Sequence, residues 1–203
     1  MINMDPALSL LLMGLFGVLA VASIIGFALS RRYKNATIAN LNARIRAWWL
    51  MCTVSVIAML IGPIGSVVLF ALMSFFALRE CITLMPTRRG DHEALFWCFF
   101  AILPVQYFLV GFDWYGVFVI FIPVYAFLFI PVRVALAGDT QHFLERSAKI
   151  QWSLMMAIYC VSHAPALLML DIPGYAGQNI KLILFMMIVV KISDVQQSVF
   201  GTL

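Results

Sequence analysis

Long apolar runs alternate with short charged segments along this chain. No charged side chain occurs from Pro6 to Ser30. That is enough for one crossing of a hydrocarbon core about 30 Å thick, which takes about 20 residues. The next uncharged run, Ala47 to Leu78, would reach about 48 Å as a single helix at about 1.5 Å per residue. Gly62-Pro63-Ile64-Gly65 lies at its centre, and a Gly/Pro cluster breaks a helix. The run therefore reads as two helices joined by a tight turn, the second continuing to about Met85. Ala94–Phe112 and Trp114–Val132 form another hairpin, turning near Asp113, and apolar runs follow at 150–170 and 180–200. The pattern predicts an all-α, polytopic integral membrane protein. About seven spans are expected, at 6–30, 47–62, 64–85, 94–112, 114–132, 150–170 and 180–200, within one membrane domain covering 1–203.

Composition agrees. Hydrophobic residues make up 64% of the chain and charged residues 11%, against roughly 45–50% and about 25% in soluble domains. A soluble fold could not hide that much apolar surface. The four cysteines, Cys52, Cys81, Cys98 and Cys160, form no CxxC pair and have no histidine at metal spacing, so they read as small apolar residues. The net charge of +4 does not mark a nucleic-acid surface, because the basic residues are divided among loops. Asp5 stands where a signal peptide would be basic, and the first apolar run is too long for one.

The charges also give an orientation. Arg31, Arg32, Lys34, Arg44 and Arg46 belong to the first long loop, Arg79, Arg88 and Arg89 to the second, and Arg133, Arg146 and Lys149 to the third. The other side carries Asp5, Asp113, Asp171 and Lys181. The positive-inside rule then puts the basic loops in the cytoplasm, the N-terminus outside and the C-terminus inside. The segment from Arg133 to Lys149 reads as a short interfacial helix resting on lipid headgroups, with Phe143 and Leu144 between its charges.

Costly polar residues inside apolar spans mark where chemistry can sit. Lys191-Ile192-Ser193-Asp194-Val195-Gln196-Gln197-Ser198 lies in the last span, nearer its cytoplasmic end. Lys191 and Asp194 are three apart and share a helix face, while Ser193 and Gln197 flank Asp194 with further donors and acceptors. The group reads either as a cytoplasm-facing polar site or as a snorkelling lysine with its paired aspartate. Glu80 reads as an interfacial partner of Arg79 or as part of the same polar cavity. His163, two residues before Pro165, is expected to bond carbonyls freed by the proline. Arg44 and Arg46 beside Trp48 and Trp49 make a basic, aromatic boundary or a site for an anionic headgroup. No Walker A loop, GxGxxG, HExxH or Ser/His/Asp order is present, so nucleotide chemistry would have to use carboxylate-bound metal and basic side chains.

These residues in this order resemble the CDP-diacylglycerol synthase family, also called phosphatidate cytidylyltransferases, from about Arg44 to Gly201. Arg44 precedes the second helix, and Ala77-Leu78-Arg79-Glu80 closes the hairpin after it. Asp194 and Gly201 match the family's late Asp and Gly. Gln197 and Ser198 replace its Ala-Tyr and Thr202 its basic residue, as in a divergent bacterial branch. The resemblance implies a multi-pass protein of the bacterial inner membrane that converts CTP and phosphatidate to CDP-diacylglycerol and pyrophosphate. It implies Mg2+ held by Asp194 and a homodimer as the assembly, while Glu80, Arg44, Ser193 and Gln197 are expected on the substrates from their own positions. Lys191 as a phosphate partner comes from the residues alone. The family's Ser-x-x-Lys-like loop and second essential Asp would follow Leu203, so the expectation is a chain inactive alone. A lipid-binding scaffold and a small transporter using Lys191, Asp194 and His163 are the alternatives.

Overall fold

The structure, a computed structural model, describes residues 6–32, 36–139, 141–170, 172–174 and 178–200. At 7–8, 36–40, 59–60, 191–192 and 194–200 it describes backbone alone. The described residues fold into helices without any strand. They are α1 (Pro6–Arg32), α2 (Ala36–Ile61), α3 (Pro63–Thr83), α4 (Arg89–Gly111), α5 (Tyr115–Leu136), α6 (Phe143–Met169) and α7 (Asn179–Phe200). Five of them are long and apolar enough to cross a membrane: Ser9–Arg32 within α1, then α3, α4, α5 and α6. A shorter apolar stretch, Asn179–Val190, opens α7. The protein is an all-α membrane protein.

Two of the loops differ from the sequence-based expectation. α2 starts at Ala36, so Arg44 and Arg46 lie on a helix. The interfacial helix between Arg133 and Lys149 does not form. Arg133 lies in the last turn of α5, and Phe143 and Leu144 open the spanning helix α6 itself. The reason lies in the buried salt bridge of Arg146 described below, which draws the start of α6 into the bundle. The break between α2 and α3 falls where the Gly/Pro cluster put it: Gly62 takes φ +111°, a conformation open to glycine and strained for other residues.

The chain divides into two compact units, 1–62 with 180–203, and 63–179. In the first, α1 packs on α2 through an aromatic contact and a relay of polar atoms. The Phe16 and Trp49 ring centroids are 5.8 Å apart. Trp49 Nε1 donates to Ser23 Oγ at 2.9 Å, and Ser23 Oγ donates to Leu19 O at 2.8 Å. This satisfies an indole N–H that lipid would leave orphaned.

The second unit is an antiparallel bundle of α3, α4, α5 and α6. Its core includes Leu78, Cys98, Ile122, Ile130, Leu154 and Ile158. Large apolar side chains such as Phe96, Phe100, Phe108 and Leu128 face outward, as a lipid solvent requires. Lipid tails are as apolar as leucine, so close packing and interhelical hydrogen bonds hold such a bundle together.

The hydrogen bonds follow the prolines. A proline removes an N–H and frees the carbonyl about one turn earlier. Pro131 frees Phe127 O, and Gln151 Nε2 on α6 donates to it at 2.7 Å. Pro123 stands in a π-helical stretch, Phe121–Ala126, and frees the carbonyls of Phe118 and Val119. Gln106 Nε2 on α4 donates to Phe118 O at 3.4 Å, and Tyr159 OH on α6 donates to Val119 O at 3.1 Å. The two prolines are eight residues apart, and so are the two α6 donors, running the opposite way. Each proline gap in α5 is filled from a neighbouring helix.

Candidate functional site

At one end of the second unit the α3–α4 and α5–α6 connections meet, and charged side chains converge there. Arg146 is their hub, 6% exposed, against Asp91 at 2%. Its Nε donates to Asp91 Oδ1 at 2.8 Å and Oδ2 at 3.1 Å, and Nη2 donates to Oδ1 at 2.5 Å. Nη1 donates to the carbonyls of Asp139 and Gln141, each at 3.1 Å, and lies 2.9 Å from Asp139 Oδ2. The guanidinium fork thus ties two loops to the first turn of α6, 55 residues from Asp91. Such bidentate geometry belongs to arginine and not lysine.

The loops are shaped to allow this. Asp91 Oδ2 also accepts the Arg88 N–H at 3.0 Å, closing a turn before α4. A Cβ on Gly90 would stand 3.2 Å from Arg146 Nη2 and 3.4 Å from the Asp139 Cβ, so a side chain there would push the guanidinium aside by a few tenths of an ångström. Asp139 Oδ1 accepts the Gln141 N–H at 3.2 Å, an Asx turn, and Arg88 Nη1 reaches the Asp139 carboxylate at 3.3 Å. Partial desolvation pushes the Asp139 carboxyl upward. The Gln141 amide, the Arg88 hydrogen bond and the charges of Arg146 and Arg88 together outweigh that and hold it below its usual range.

More exposed pairs surround this hub. Lys149 Nζ is 2.6 Å from Glu145 Oε1, His142 is 3.4 Å from Glu145, and Arg133 pairs with Glu93. Beside them lies a narrow crevice of about 10 Å³, room for about one water, with Ile82, Met85, Leu95 and Ile150 on its apolar walls and Asp91, Arg146, Lys149 and Ser153 among its polar groups. At the opposite end a second hollow, lined by Leu109, Phe118, Ala166 and Met169, has Asp113 as its charged residue.

The residues singled out in the sequence distribute differently. Glu80 lies near the end of α3, exposed; its carbonyl accepts the Thr83 hydroxyl at 2.7 Å, and its side chain pairs with no described residue. Arg44 is exposed on α2, in the other unit. α7 is helical across 191–197, so the three-residue spacing of Lys191 and Asp194 holds for the backbone, and Ser193 is exposed. The side chains of Lys191, Asp194 and Gln197 lie outside the described residues. His163 Nδ1 meets Tyr159 O at 2.8 Å, its own helix's carbonyl four residues back. The carbonyl that Pro165 frees is that of Val161, so the expected proline partner is replaced by a local one. None of the four cysteines forms a disulfide, and Cys52 and Cys98 are buried.

Sequence reasoning missed the Arg146–Asp91–Asp139 cluster, because both basic loops were read as topology signals alone. The available signal was a repeated doublet: Gly90-Asp91 and Gly138-Asp139 place an acid after a glycine in each basic loop.

These residues do not fit a Mg2+ ion. No three His, Cys, Asp or Glu side chains converge among the described residues, and the approaching carboxylates, Asp91 and Asp139, are already neutralised by arginines. Mg2+ demands near-octahedral oxygen ligation.

Comparison with known proteins supplies what geometry leaves open. The profile of the cytidylyltransferase family matches residues 42–203. The uncharacterized protein YnbB of Escherichia coli (strain K12) is 33% identical over 190 residues, covering 92% of this chain and 60% of that protein. The chain thus spans 60% of the length of this curated relative. No solved structure matches it. A match over most of the chain decides the family: the chain belongs to the cytidylyltransferases, the family of the CDP-diacylglycerol synthases.

Proposed function

We propose that this protein carries out CTP-dependent nucleotidyl transfer to a membrane lipid, with phosphatidate as acceptor. A phosphate oxygen of phosphatidate attacks the α-phosphorus of CTP, the new P–O bond forms, and the bond to the β-phosphate breaks with departure of pyrophosphate. The observation that carries the reading is the family match across residues 42–203, which includes the whole of α7. It favours this reading over a scaffold or a transporter.

In this reading the basic loops and the C-terminus face the cytoplasm and the N-terminus lies outside. Soluble CTP and the lipid phosphate then meet at the inner face of a bacterial cytoplasmic membrane. Asp194 is the acidic group of the site, with Mg2+ as its expected partner by resemblance, and Lys191 answers phosphate charge. Glu80, Arg44, Ser193 and Gln197 serve the substrates. The described residues supply no set of ligands for the metal. Pairing into a homodimer belongs to the same reading.

The test is direct. The purified chain is reconstituted with phosphatidate, labelled CTP and Mg2+, and CDP-diacylglycerol and pyrophosphate are measured. Against the sequence-based expectation of a chain inactive alone, equal amounts of both products are expected, with D194N at least about a hundredfold slower, as when one group that stabilises developing charge is removed. Product formation indifferent to D194N would remove Asp194 from the site. Failure both to bind CTP and to form product would overturn the reading.

A further inference from the structure

We propose that the hollow at the Asp113 end of the second unit binds a quaternary ammonium group, the trimethylammonium of a choline. This end of the bundle lies away from the basic loops, and the site is independent of the nucleotidyl transfer proposed above.

The hollow is an apolar and aromatic recess with one charged group. Its volume is about 140 Å³, close to an engineered apolar cavity of about 150 Å³ that takes up benzene. A trimethylammonium group, with fewer heavy atoms than benzene, fits that space. The last turns of α4 and α6 contribute Leu109, Ala166 and Met169 to its walls, and the first turn of α5 adds Tyr115 and Phe118. Phe118 is 1% exposed and firmly placed. Its ring lies against His163, with centroids 4.8 Å apart, and its carbonyl accepts a hydrogen bond from Gln106 Nε2 at 3.4 Å. Tyr115 is 55% exposed, with its ring centroid 6.1 Å from that of Phe118. A cation is attracted to an aromatic ring within about 6 Å of its centroid, so one bound cation can use both rings.

Asp113 supplies the charge. It takes φ +57° in a turn that backbone groups close: the Asp113 N–H donates to Val110 O at 3.2 Å and the Trp114 N–H to Leu109 O at 3.1 Å. Its carboxylate pairs with no described residue, whereas Asp91 and Asp139 at the other end are both held by Arg146. An anion beside apolar walls is complementary to an organic cation. Hydrogen bonding decides which kind. A primary ammonium has three N–H donors to satisfy, and walls such as Leu109, Ala166 and Met169 offer their side chains no acceptor. A trimethylammonium donates no hydrogen bond, surrounds its charge with methyl groups, and is the cation that aromatic walls recognise. Phe112 and Trp114, either side of Asp113, are exposed. Aromatic residues of this kind mark the level of lipid headgroups, so the hollow is within reach of a choline lipid as well as of free choline.

Binding is measured without CTP and without turnover. The chain is reconstituted in phosphatidylglycerol nanodiscs, which hold no ammonium group, and labelled choline is titrated by equilibrium dialysis against empty nanodiscs. Saturable binding is expected. D113N keeps a residue that tolerates the left-handed backbone and is expected to bind about fivefold more weakly, the loss of one exposed ion pair. Y115L is expected to bind about threefold more weakly, the loss of one exposed cation–π contact. E145Q removes an exposed carboxylate at the other end of the unit and is expected to leave binding unchanged. The neutral isostere of choline, with a tert-butyl group in place of trimethylammonium, is expected to compete poorly, and so is ethanolamine. Equal competition by either compound would overturn the proposal, as would binding unaffected by D113N or weakened equally by E145Q. The source is read by adding phosphatidylcholine to the nanodiscs: loss of labelled choline from the protein identifies the lipid head, and its retention identifies the free cation.

Discussion

The middle and the loop end of the second unit face the same difficulty and meet it with different chemistry. In the middle, prolines leave the carbonyls of Phe118, Val119 and Phe127 without their helical donors, and neutral side chains on α4 and α6 fill them. At the loop end, polar backbone and charge are gathered around one guanidinium. A neutral donor to a carbonyl can be lost at the cost of one orphaned group. A buried charge cannot lose its partner so cheaply, since in low dielectric the remaining charge is uncompensated. The middle is therefore a set of separable bonds, and the end is a unit that stands or falls together.

That contrast is broken most strongly at Arg146 and Asp91. R146M or D91L alone is expected to destabilise the fold by about 3–5 kcal/mol, because each strands a buried charge. The double variant D91L/R146M is expected to recover most of the loss, since replacing a buried pair by apolar groups of similar volume is often neutral. Reversible unfolding by denaturing detergent in mixed micelles reads both. A double variant as unstable as the sum of the singles would show that the two side chains act independently.

Gly90 sharpens the same comparison from the side of packing. The Cβ of G90A would press on Arg146 Nη2 and Asp139. Overpacking of this kind costs about 1–3 kcal/mol. The same unfolding assay is expected to show G90A losing that much, and much less in the D91L/R146M background, where the guanidinium no longer stands in the way. An equal loss in both backgrounds would trace the cost to backbone alone.

In the middle, the expected effects are smaller and paired. Q151L orphans Phe127 O and is expected to cost about 1 kcal/mol, within the range of interhelical hydrogen bonds in membranes. P131A restores the backbone N–H for that same carbonyl, so Q151L in the P131A background is expected to cost nearly nothing. A double-mutant cycle gives the coupling. An unchanged cost for Q151L in that background would mean that Gln151 serves packing rather than the freed carbonyl.

How much of this was legible in the sequence follows from the range of each interaction. The helices were legible because uncharged runs such as Pro6–Ser30 are local, and the α2–α3 break because Gly62-Pro63 is local. Pro123 and Pro131 mark gaps in the α5 backbone ladder, but the sequence does not name their donors, since Gln151 and Tyr159 become partners only once α5 and α6 are set in antiparallel register. Asp91 and Arg146 are 55 residues apart, and nothing periodic links them. Only the Gly-Asp doublet in each basic loop hinted that those loops held more than topology. The candidate site on α7 was legible as residues out of place in a span, Lys191 and Asp194, but the side-chain geometry there lies outside the described residues.

Asp139 gives the mildest test of the loop end. Its carboxyl is held below the ordinary aspartate value of 3.8 in the folded protein by the Gln141 amide, Arg88 and Arg146, which together outweigh partial desolvation. A carboxyl lowered on folding stabilises the fold fully above the unfolded value, and that contribution is lost as pH falls through the folded one. The Asp139 contacts are thus complete at neutral pH and fade only in acid below about 3.8. In D139N the same acid range should remove less stability, and the difference between the two proteins should vanish at the acid extreme, where the native aspartate is neutral too. Melting curves of both proteins stepped through this range check it. Parallel curves at every pH would mean that the Asp139 carboxylate contributes nothing beyond the carbonyl that Arg146 already holds.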